Sequence, residues 1–311
     1  MSVMRGVLLA ASQNVWLRER AMRWRFVRRS TRRFMPGETM DEALAAVRQL
    51  QSRRTGSILT HLGENLVSPA EAEAVTAHYL GLMSRLAADG LDARVSVKPT
   101  QLGLDLDPDL CFRNLMRLVE HAGTCGNFVW IDMESGAYVD RTLDLFRRAR
   151  AASSTVGVCV QSYLRRSASD VEALLPLGPA VRVVKGAYRE PPTLAFPDKS
   201  DVDENFFALA SRLLQPDALR SGARLAIGTH DAALVDRLRA LIAAGRVPPA
   251  AYEFDMLFGI QRGLQGRLVE AGAPLRVLIS YGEFWFPWFM RRLAERPANV
   301  WFVARNLFGG G

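Results

Sequence analysis

Two adjacent arginines, Arg291 and Arg292, interrupt an otherwise apolar segment near the end of the chain, YGEFWFPWFMRRLAERPAN, which begins at Tyr281. Neighbouring residues on a helix point about 100° apart, so the two side chains cannot share one solvated face. Paired guanidinium groups offer parallel charge-assisted donors that suit a carboxylate, and a lysine would add another donor. The segment therefore indicates a site for a small anion, with carboxylate and phosphate both open.

Other polar residues follow short β-rich runs along the chain. A single such residue is usually a cap or a loop hydrogen bond, but an ordered series favours a functional cluster. The positive charges of Arg182, Lys185 and Lys98 would repel the two arginines unless an anion or carboxylates lay among them. The polar residues at the ends of the runs are Glu64, Lys98, Asp132, Glu134, Gln161, Lys185, Thr229, His230 and Tyr281.

A scaffold that gathers these residues must bring the ends of the runs together. Eight β-rich runs alternate with helical patterns, which is typical of parallel βα units and predicts an α/β fold, a (βα)8 TIM-type barrel. We expect residues 1–50 to form an N-terminal helical arm and residues 51–311 to form the catalytic barrel. The runs begin at Ser57, Ala93, Asn127, Val156, Val181, Arg224, Ala251 and Leu275.

The composition is that of a soluble globular protein, with 49% hydrophobic and 23% charged residues in 311. The net charge of +8 favours anionic partners. Much of this charge lies in RERAMRWRFVRRSTRRF, which predicts either a solvated arm or a basic amphipathic helix at a membrane surface; nucleic acid is disfavoured because no recognised motif accompanies the run.

The first residues do not predict a signal peptide, because their apolar core is short. The three scattered cysteines predict buried thiols in a reducing cytoplasm.

The sequence lacks the usual motifs for a metal ion and for a nucleotide cofactor. Asp132, Glu134 and His230 do not form a compact ligand set, so we expect no metal. No GxGxxG sequence opens a βα unit, so a nucleotide would have to be bound in the barrel's own manner. One alternative from a different class is a Schiff-base lyase, because Lys185 follows an apolar strand whose burial could activate its amine.

An ordered set of motifs covering nearly the whole chain is similar to that of the proline dehydrogenase family. The resemblance implies a flavin-dependent barrel in which FAD lies at the mouth. It also implies that a hydride passes from the carbon beside the proline nitrogen to flavin N5, giving 1-pyrroline-5-carboxylate, and that the electrons go on to a membrane quinone. The motifs are LGE, VSVKPTQLG, IDME, VCVQSYLRR, VRVVKGAY, GTHD, YEFDMLFG and YGEFWFPWFMRRLAERPAN.

The resemblance also implies roles for individual residues. Arg291, Arg292 and Lys98 would hold the substrate carboxylate, Asp132 would orient its neighbours, and Glu64 would close the site by pairing with Arg291. Tyr188 and Leu257 would form walls against the substrate ring. Arg182 would hydrogen-bond the flavin near N5. The remaining cofactor contacts implied are Gln161, Lys185, Gly186, Ala187, Thr229, His230 and Glu295.

Two positions depart from the family pattern. Leu278 stands where the family usually has a tyrosine that disfavours a hydroxyl on the substrate ring, so hydroxyproline or another cyclic secondary amine acid stays open as a substrate. Asp255 stands where the family commonly has glutamine. No side chain is an evident general base.

Overall fold

Eight parallel strands close into a barrel in chain order, and the predicted (βα)8 fold is confirmed. The computed structural model describes residues 33–63 and 66–286. Each predicted β-rich run coincides with one strand, and β1 and β5 begin one residue before their runs. Continuous Val, Ile and Leu content suits strands covered on both faces. The strands are β1 Gly56–His61, β2 Ala93–Val97, β3 Val129–Ile131, β4 Val156–Gln161, β5 Ala180–Val184, β6 Arg224–Gly228, β7 Tyr252–Leu257 and β8 Leu275–Tyr281.

Helices connect the strands and cover the outside of the barrel. Several begin with a signal that the sequence carries, such as Ser68 and Asp107, whose side chains accept hydrogen bonds from first-turn N–H groups. The helices of the described residues are α1 Met40–Gln51, α2 Pro69–Ala88, α3 Pro108–Thr124, α4 Val139–Ala152, α5 Ser167–Leu174, α6 Lys199–Leu213, α7 Pro216–Arg220, α8 Ala232–Ala244 and α9 Arg262–Glu270.

Alternation along each strand divides the residues between the helix layer and the barrel interior. On β5, Val181 and Val183 pack against the helices, whereas Ala180 contributes to an interior cluster. This cluster supplies apolar side chains to the amino-terminal half of the barrel interior. It contains Ile58, Phe128, Trp130, Ala180 and Ala226, with Leu278 packed against it.

Helix α1 packs against β1 and β8 and buries Ala43, Leu44 and Val47. It lies within the predicted N-terminal arm, of which residues 1–32 are outside the described part of the chain. The division at residue 50 stays a prediction, and so does the amphipathic arm. Of the three cysteines, Cys111 and Cys159 are buried, but Cys125 is only half-buried. Within residues 33–63 and 66–286, no helix is long and apolar enough to cross a membrane.

Candidate functional site

The site residues meet at the barrel mouth, which is the end where the strands terminate. Because all eight strands run in the same direction, the residue after each strand projects toward this end. Lys98, Asp132, Lys185 and Thr229 each come directly after the last residue of a strand. Gln161 and Leu257 are the last residues of β4 and β7.

Lys98 and Asp132 form an ion pair between the ends of β2 and β3. The Lys98 Nζ atom lies 2.8 Å from Asp132 Oδ2, and the two side chains are 19% and 17% exposed. Burial by itself would lower the pKa of Lys98, but the adjacent Asp132 raises it above its ordinary value. Burial opposes ionisation of Asp132 as well, yet the charges of Lys98 and Arg182 leave its pKa lowered. Both groups are therefore charged at neutral pH and only partly accessible.

Arg182 lies inside the barrel below this pair and joins several strands. Its Nε atom donates to Asp255 Oδ2 at 2.7 Å, and Nη1 donates to Ser96 Oγ at 3.1 Å. Nη1 also lies 3.4 Å from Asp132 Oδ1 and 3.5 Å from Cys159 Sγ. Burial alone would lower the pKa of Arg182, but its acidic neighbours raise it, so the guanidinium stays charged.

Two polar atoms of the Arg182 and Asp255 pair remain unsatisfied. Arg182 Nη2 and Asp255 Oδ1 are buried and have no hydrogen-bond partner within the described residues. A buried donor without a partner is costly, so such an atom is a candidate contact for a bound group. The Arg182 guanidinium carbon lies 4.5 Å from the centre of the Trp130 ring, which supports it from below.

Lys185 belongs to a separate charged cluster on the β5 and β6 side of the mouth. Its Nζ atom lies 2.5 Å from Asp203 Oδ1 and 2.9 Å from Asp231 Oδ2. Lys199 contacts the same two carboxylates. Burial opposes ionisation of Asp231, but its bonds to the two lysines hold its pKa well below the ordinary value. The cluster fixes the start of α6 against the barrel.

His230 links the ends of β6 and β7. Its Nε2 atom accepts a hydrogen bond of 2.8 Å from the backbone N–H of Leu257. The bond fixes the orientation of the ring between the two strand ends. Thr229 precedes it and is buried; its hydroxyl oxygen accepts from the N–H of Asp231 at 3.2 Å.

Gly186, Ala187 and Tyr188 form an exposed loop after β5. Gly186 has a φ of +114°, and a Cβ there would lie 2.3 Å from the Tyr163 ring. Only glycine can therefore occupy this position without moving the loop. Tyr188 is 37% exposed, unusually open for a large aromatic side chain. The loop thus presents an aromatic side chain at the mouth.

Two residues of the predicted polar series hold neighbouring elements in place. Glu134 accepts hydrogen bonds from the N–H and hydroxyl of Thr100 at 3.1 and 2.9 Å, so it holds the loop after β2. Tyr281 is buried, with its hydroxyl 2.7 Å from Nε2 of His78 on α2. Gln161 is buried too and donates to the Glu134 carbonyl at 2.7 Å.

Four residues close to Arg182 were given no role at the site by the sequence analysis, although Asp255 was noted there as a departure from the family pattern. Each precedes a strand-end residue by two positions, and side chains two apart on a strand share one face. That spacing is the signal that could have found them. They are Ser96, Trp130, Cys159 and Asp255, which precede Lys98, Asp132, Gln161 and Leu257 respectively.

Four predicted site residues, Glu64, Arg291, Arg292 and Glu295, lie outside the described residues, and their roles stay predictions. Within the described ranges, no group of three or more His, Cys, Asp or Glu side chains is placed to hold a metal ion.

Comparisons with known proteins agree over almost the full length. The family model described as proline dehydrogenase matches residues 43–305. The chain is 36% identical over 305 residues to proline dehydrogenase 1 of Bacillus subtilis subsp. natto, covering 98% of this chain and 99% of the relative. It is 37% identical over 283 residues to the proline dehydrogenase of Deinococcus radiodurans, covering 89% of this chain and 90% of that protein.

A solved structure has the same architecture. Proline utilization A (PutA) from Bdellovibrio bacteriovorus, inactivated by N-propargylglycine, aligns with a TM-score of 0.81 and 25% sequence identity. The alignment covers 91% of this chain but 34% of the PutA chain, so the chain spans about a third of that protein.

Proposed function

The chain belongs to the proline dehydrogenase family, and we propose that it oxidises L-proline to 1-pyrroline-5-carboxylate with FAD as its cofactor and a quinone as the electron acceptor. The observation that carries the proposal is the cluster of Lys98, Asp132 and Arg182, which lies at the mouth of the barrel and within the family's motifs. Relatives of nearly equal length named for proline dehydrogenation support the reaction.

The residues of the mouth fit a flavin nucleotide. Arg182 has a buried donor, Nη2, without a partner within the described residues, which suits a polar edge of a flavin ring. Lys185 follows β5, and Thr229 and His230 follow β6, so these residues would offer hydrogen-bond donors to the phosphate groups of the nucleotide. When bound, FAD would supply the acceptor for the hydride lost by proline.

Lys98 is the described residue best placed to hold the proline carboxylate. Its ammonium group is fixed by Asp132 and remains partly accessible, so it can donate to an anion without a change of rotamer. Arg291 and Arg292 would complete the clamp, and Glu64 would close it by pairing with Arg291. Closure would exclude water while the hydride moves.

Apolar and aromatic side chains would enclose the substrate ring. Leu257 and Leu278 are half-buried at adjacent positions of β7 and β8, and Tyr188 is exposed at the mouth. Leu278 packs against the apolar cluster of the barrel interior. Because leucine replaces the tyrosine usual in the family, 4-hydroxyproline or another cyclic secondary amine acid is the second candidate substrate.

A Schiff-base lyase is less favoured by the geometry. The amine of Lys185 lies between the carboxylates of Asp203 and Asp231. The two ion pairs hold this amine in place, and it would have to leave both carboxylates before it could attack a substrate carbonyl. We further propose that the protein works in the cytoplasm and touches the membrane peripherally through its basic N-terminal arm.

Anaerobic reduction tests the proposed reaction. Proline should bleach the flavin of the purified protein. Comparison with bleaching by 4-hydroxyproline measures the selectivity for the substrate ring. An absence of bleaching by any cyclic amino acid would contradict the proposal. A protein that binds no flavin would contradict it as well.

The variant Lys98→Met tests the clamp. We expect the flavin content to stay unchanged while KM for proline rises about tenfold to a hundredfold, the effect of losing a charge-assisted hydrogen bond. Arg267→Met is the matched control, because Arg267 is an exposed cation on α9, away from the mouth. Equal KM values for the two variants would remove Lys98 from the clamp.

A further inference from the structure

A second cavity opens at the barrel floor, which is the end where the strands begin and is opposite the mouth. Its volume is about 350 Å³. It lies among the starts of β3 to β6. Its walls include Phe128, Arg150, Ser154, Gly178, Gly222 and Arg224.

Two arginines of this cavity have no carboxylate partner among the residues that the structure describes. Arg150 donates to the carbonyl oxygens of Ser153 and Gly178 at 3.2 and 3.0 Å, which fixes its position but leaves its charge uncompensated. Arg224 contacts the Phe128 ring, with its guanidinium carbon 5.0 Å from the ring centre. Within residues 33–63 and 66–286, neither arginine has a carboxylate oxygen within 4.0 Å.

Other arginines of the floor are paired, so the missing carboxylates are a local feature. Arg94 lies 2.5 Å from Glu253, and Arg276 lies 2.7 Å from Asp92. Burial lowers the pKa of Arg224; Glu253 acts in the opposite direction, but the nearby charge of Arg150 lowers it further. An anion between Arg150 and Arg224 would relieve this repulsion.

The shape of the cavity suits a ligand larger than a simple ion. Its volume lies at the lower end of the range of small-molecule sites, roughly 300–1,000 Å³. Gly178 and Gly222 contribute backbone without side chains to two walls, and both have positive φ, at 56° and 93°. Phe128 also lines the cavity, where its buried ring contacts the Arg224 guanidinium.

We propose that the floor cavity binds a small phosphate monoester, with Arg150 and Arg224 holding the phosphate. Two guanidinium groups match a dianion in charge, and each can donate a pair of hydrogen bonds to phosphate oxygens. The remaining space accommodates the organic group of the ester. This site is separate from the proline site, because the two lie at opposite ends of the barrel.

Calorimetric titration of the flavin-loaded enzyme with inorganic phosphate and with glycerol phosphate, at constant ionic strength, tests the site. Arg224→Gln and Arg150→Gln should each weaken binding about tenfold or more, the effect of losing a charged hydrogen-bond donor. Arg267→Gln should leave the affinity unchanged, because Arg267 is exposed on α9, between β7 and β8, and does not line the cavity at the starts of β3 to β6.

Ser154→Glu provides a second variant that keeps both arginines. Ser154 is exposed in the cavity wall, and a carboxylate there would compensate the guanidinium charges. We expect it to weaken phosphate binding as strongly as Arg224→Gln while KM for proline stays the same. Affinity that survives all three floor variants overturns the proposal. So does phosphate that competes with proline equally in the wild type and in Arg224→Gln, because that result places the anion at the mouth.

Discussion

At the scale of single residues, Asp255 changes the environment of Arg182 in a way that a neutral side chain would not. The two side chains are 5% and 3% exposed and share a hydrogen bond of 2.7 Å. Burial raises the pKa of Asp255 to about 6, and the nearby Arg182 only partly opposes this. The pair is therefore a source of pH dependence inside the barrel.

Replacing this carboxyl group gives a prediction with a definite sign. In the unfolded chain Asp titrates near pH 4. The folded protein retains the proton up to about pH 6, so the wild type loses stability as the pH rises through this window. Asn does not titrate, so the destabilisation caused by Asp255→Asn should shrink by on the order of 2 kcal/mol between about pH 4.5 and 7.5.

Urea unfolding across this pH range measures the effect. Asp41→Asn is the control, because Asp41 is 84% exposed and contributes no buried carboxyl group. A destabilisation by Asp255→Asn that stays constant across this pH range would show that the Asp255 carboxyl group is ionised throughout.

Leu278 determines a second property at this scale, the selectivity for the substrate ring. Leu278→Tyr restores a hydroxyl-bearing wall and should raise the preference for proline over 4-hydroxyproline, by up to about a hundredfold. Leu278→Phe separates the two contributions, since it adds the ring without the hydroxyl. The ratio of kcat/KM values is the measurement, and a ratio unaffected by either change would remove Leu278 from the wall.

At the scale of elements, α1 shows how a local signal stabilises the barrel. Thr39 caps the helix, and Glu42 bonds back to the Thr39 N–H at 3.1 Å, forming a capping box. Thr39→Ala should reduce the free energy of unfolding by about 1 kcal/mol, because a helical N–H loses its acceptor. Thr39→Ser keeps the hydroxyl and should change little. Chemical unfolding with proline kinetics in parallel checks both, since kcat should not respond to either variant.

The eight strands and the residues that follow them could be predicted from the sequence, because both depend on local patterns. Runs rich in Val, Ile and Leu indicated β1 to β8, and Lys98 and Asp132 follow their strands directly. The partners of those residues were harder to predict. The hydrogen bond between Arg182 and Asp255 joins residues 73 positions apart, and no spacing in the sequence predicts it.

The direction of side chains at strand ends also depends on more than position. Glu134 and Tyr281 looked like members of the polar series, yet one bonds to Thr100 and the other to His78. Tyr281 shares the outward alternation of Ile279, which places it against α2. The position of a residue at the end of a strand predicts that it lies near the mouth. Whether its side chain points into the barrel depends on the alternation along the strand in the closed barrel.

At the scale of the whole molecule, the two ends of the barrel carry different charged clusters. The mouth holds the Lys98 and Asp132 pair, and the floor holds Glu253 between two arginines. Glu253 lies 2.5 Å from Arg94 and 3.2 Å from Arg276, and it is 12% exposed. In barrels of this type the mouth performs the chemistry and the opposite end contributes stability.

Glu253→Gln tests this division of roles. Removing Glu253 leaves Arg94 without a carboxylate partner, while Arg276 keeps Asp92, so the free energy of unfolding should fall by about 3 kcal/mol. Because the change is at the floor, KM for proline should stay the same. Glu204→Gln is the control, as its pair with Arg237 lies on the surface and its loss should have little effect. Unfolding curves and proline kinetics on both variants are the measurements. A rise in KM for proline without a loss of stability would show that Glu253 affects substrate binding at the mouth and would contradict the division of roles.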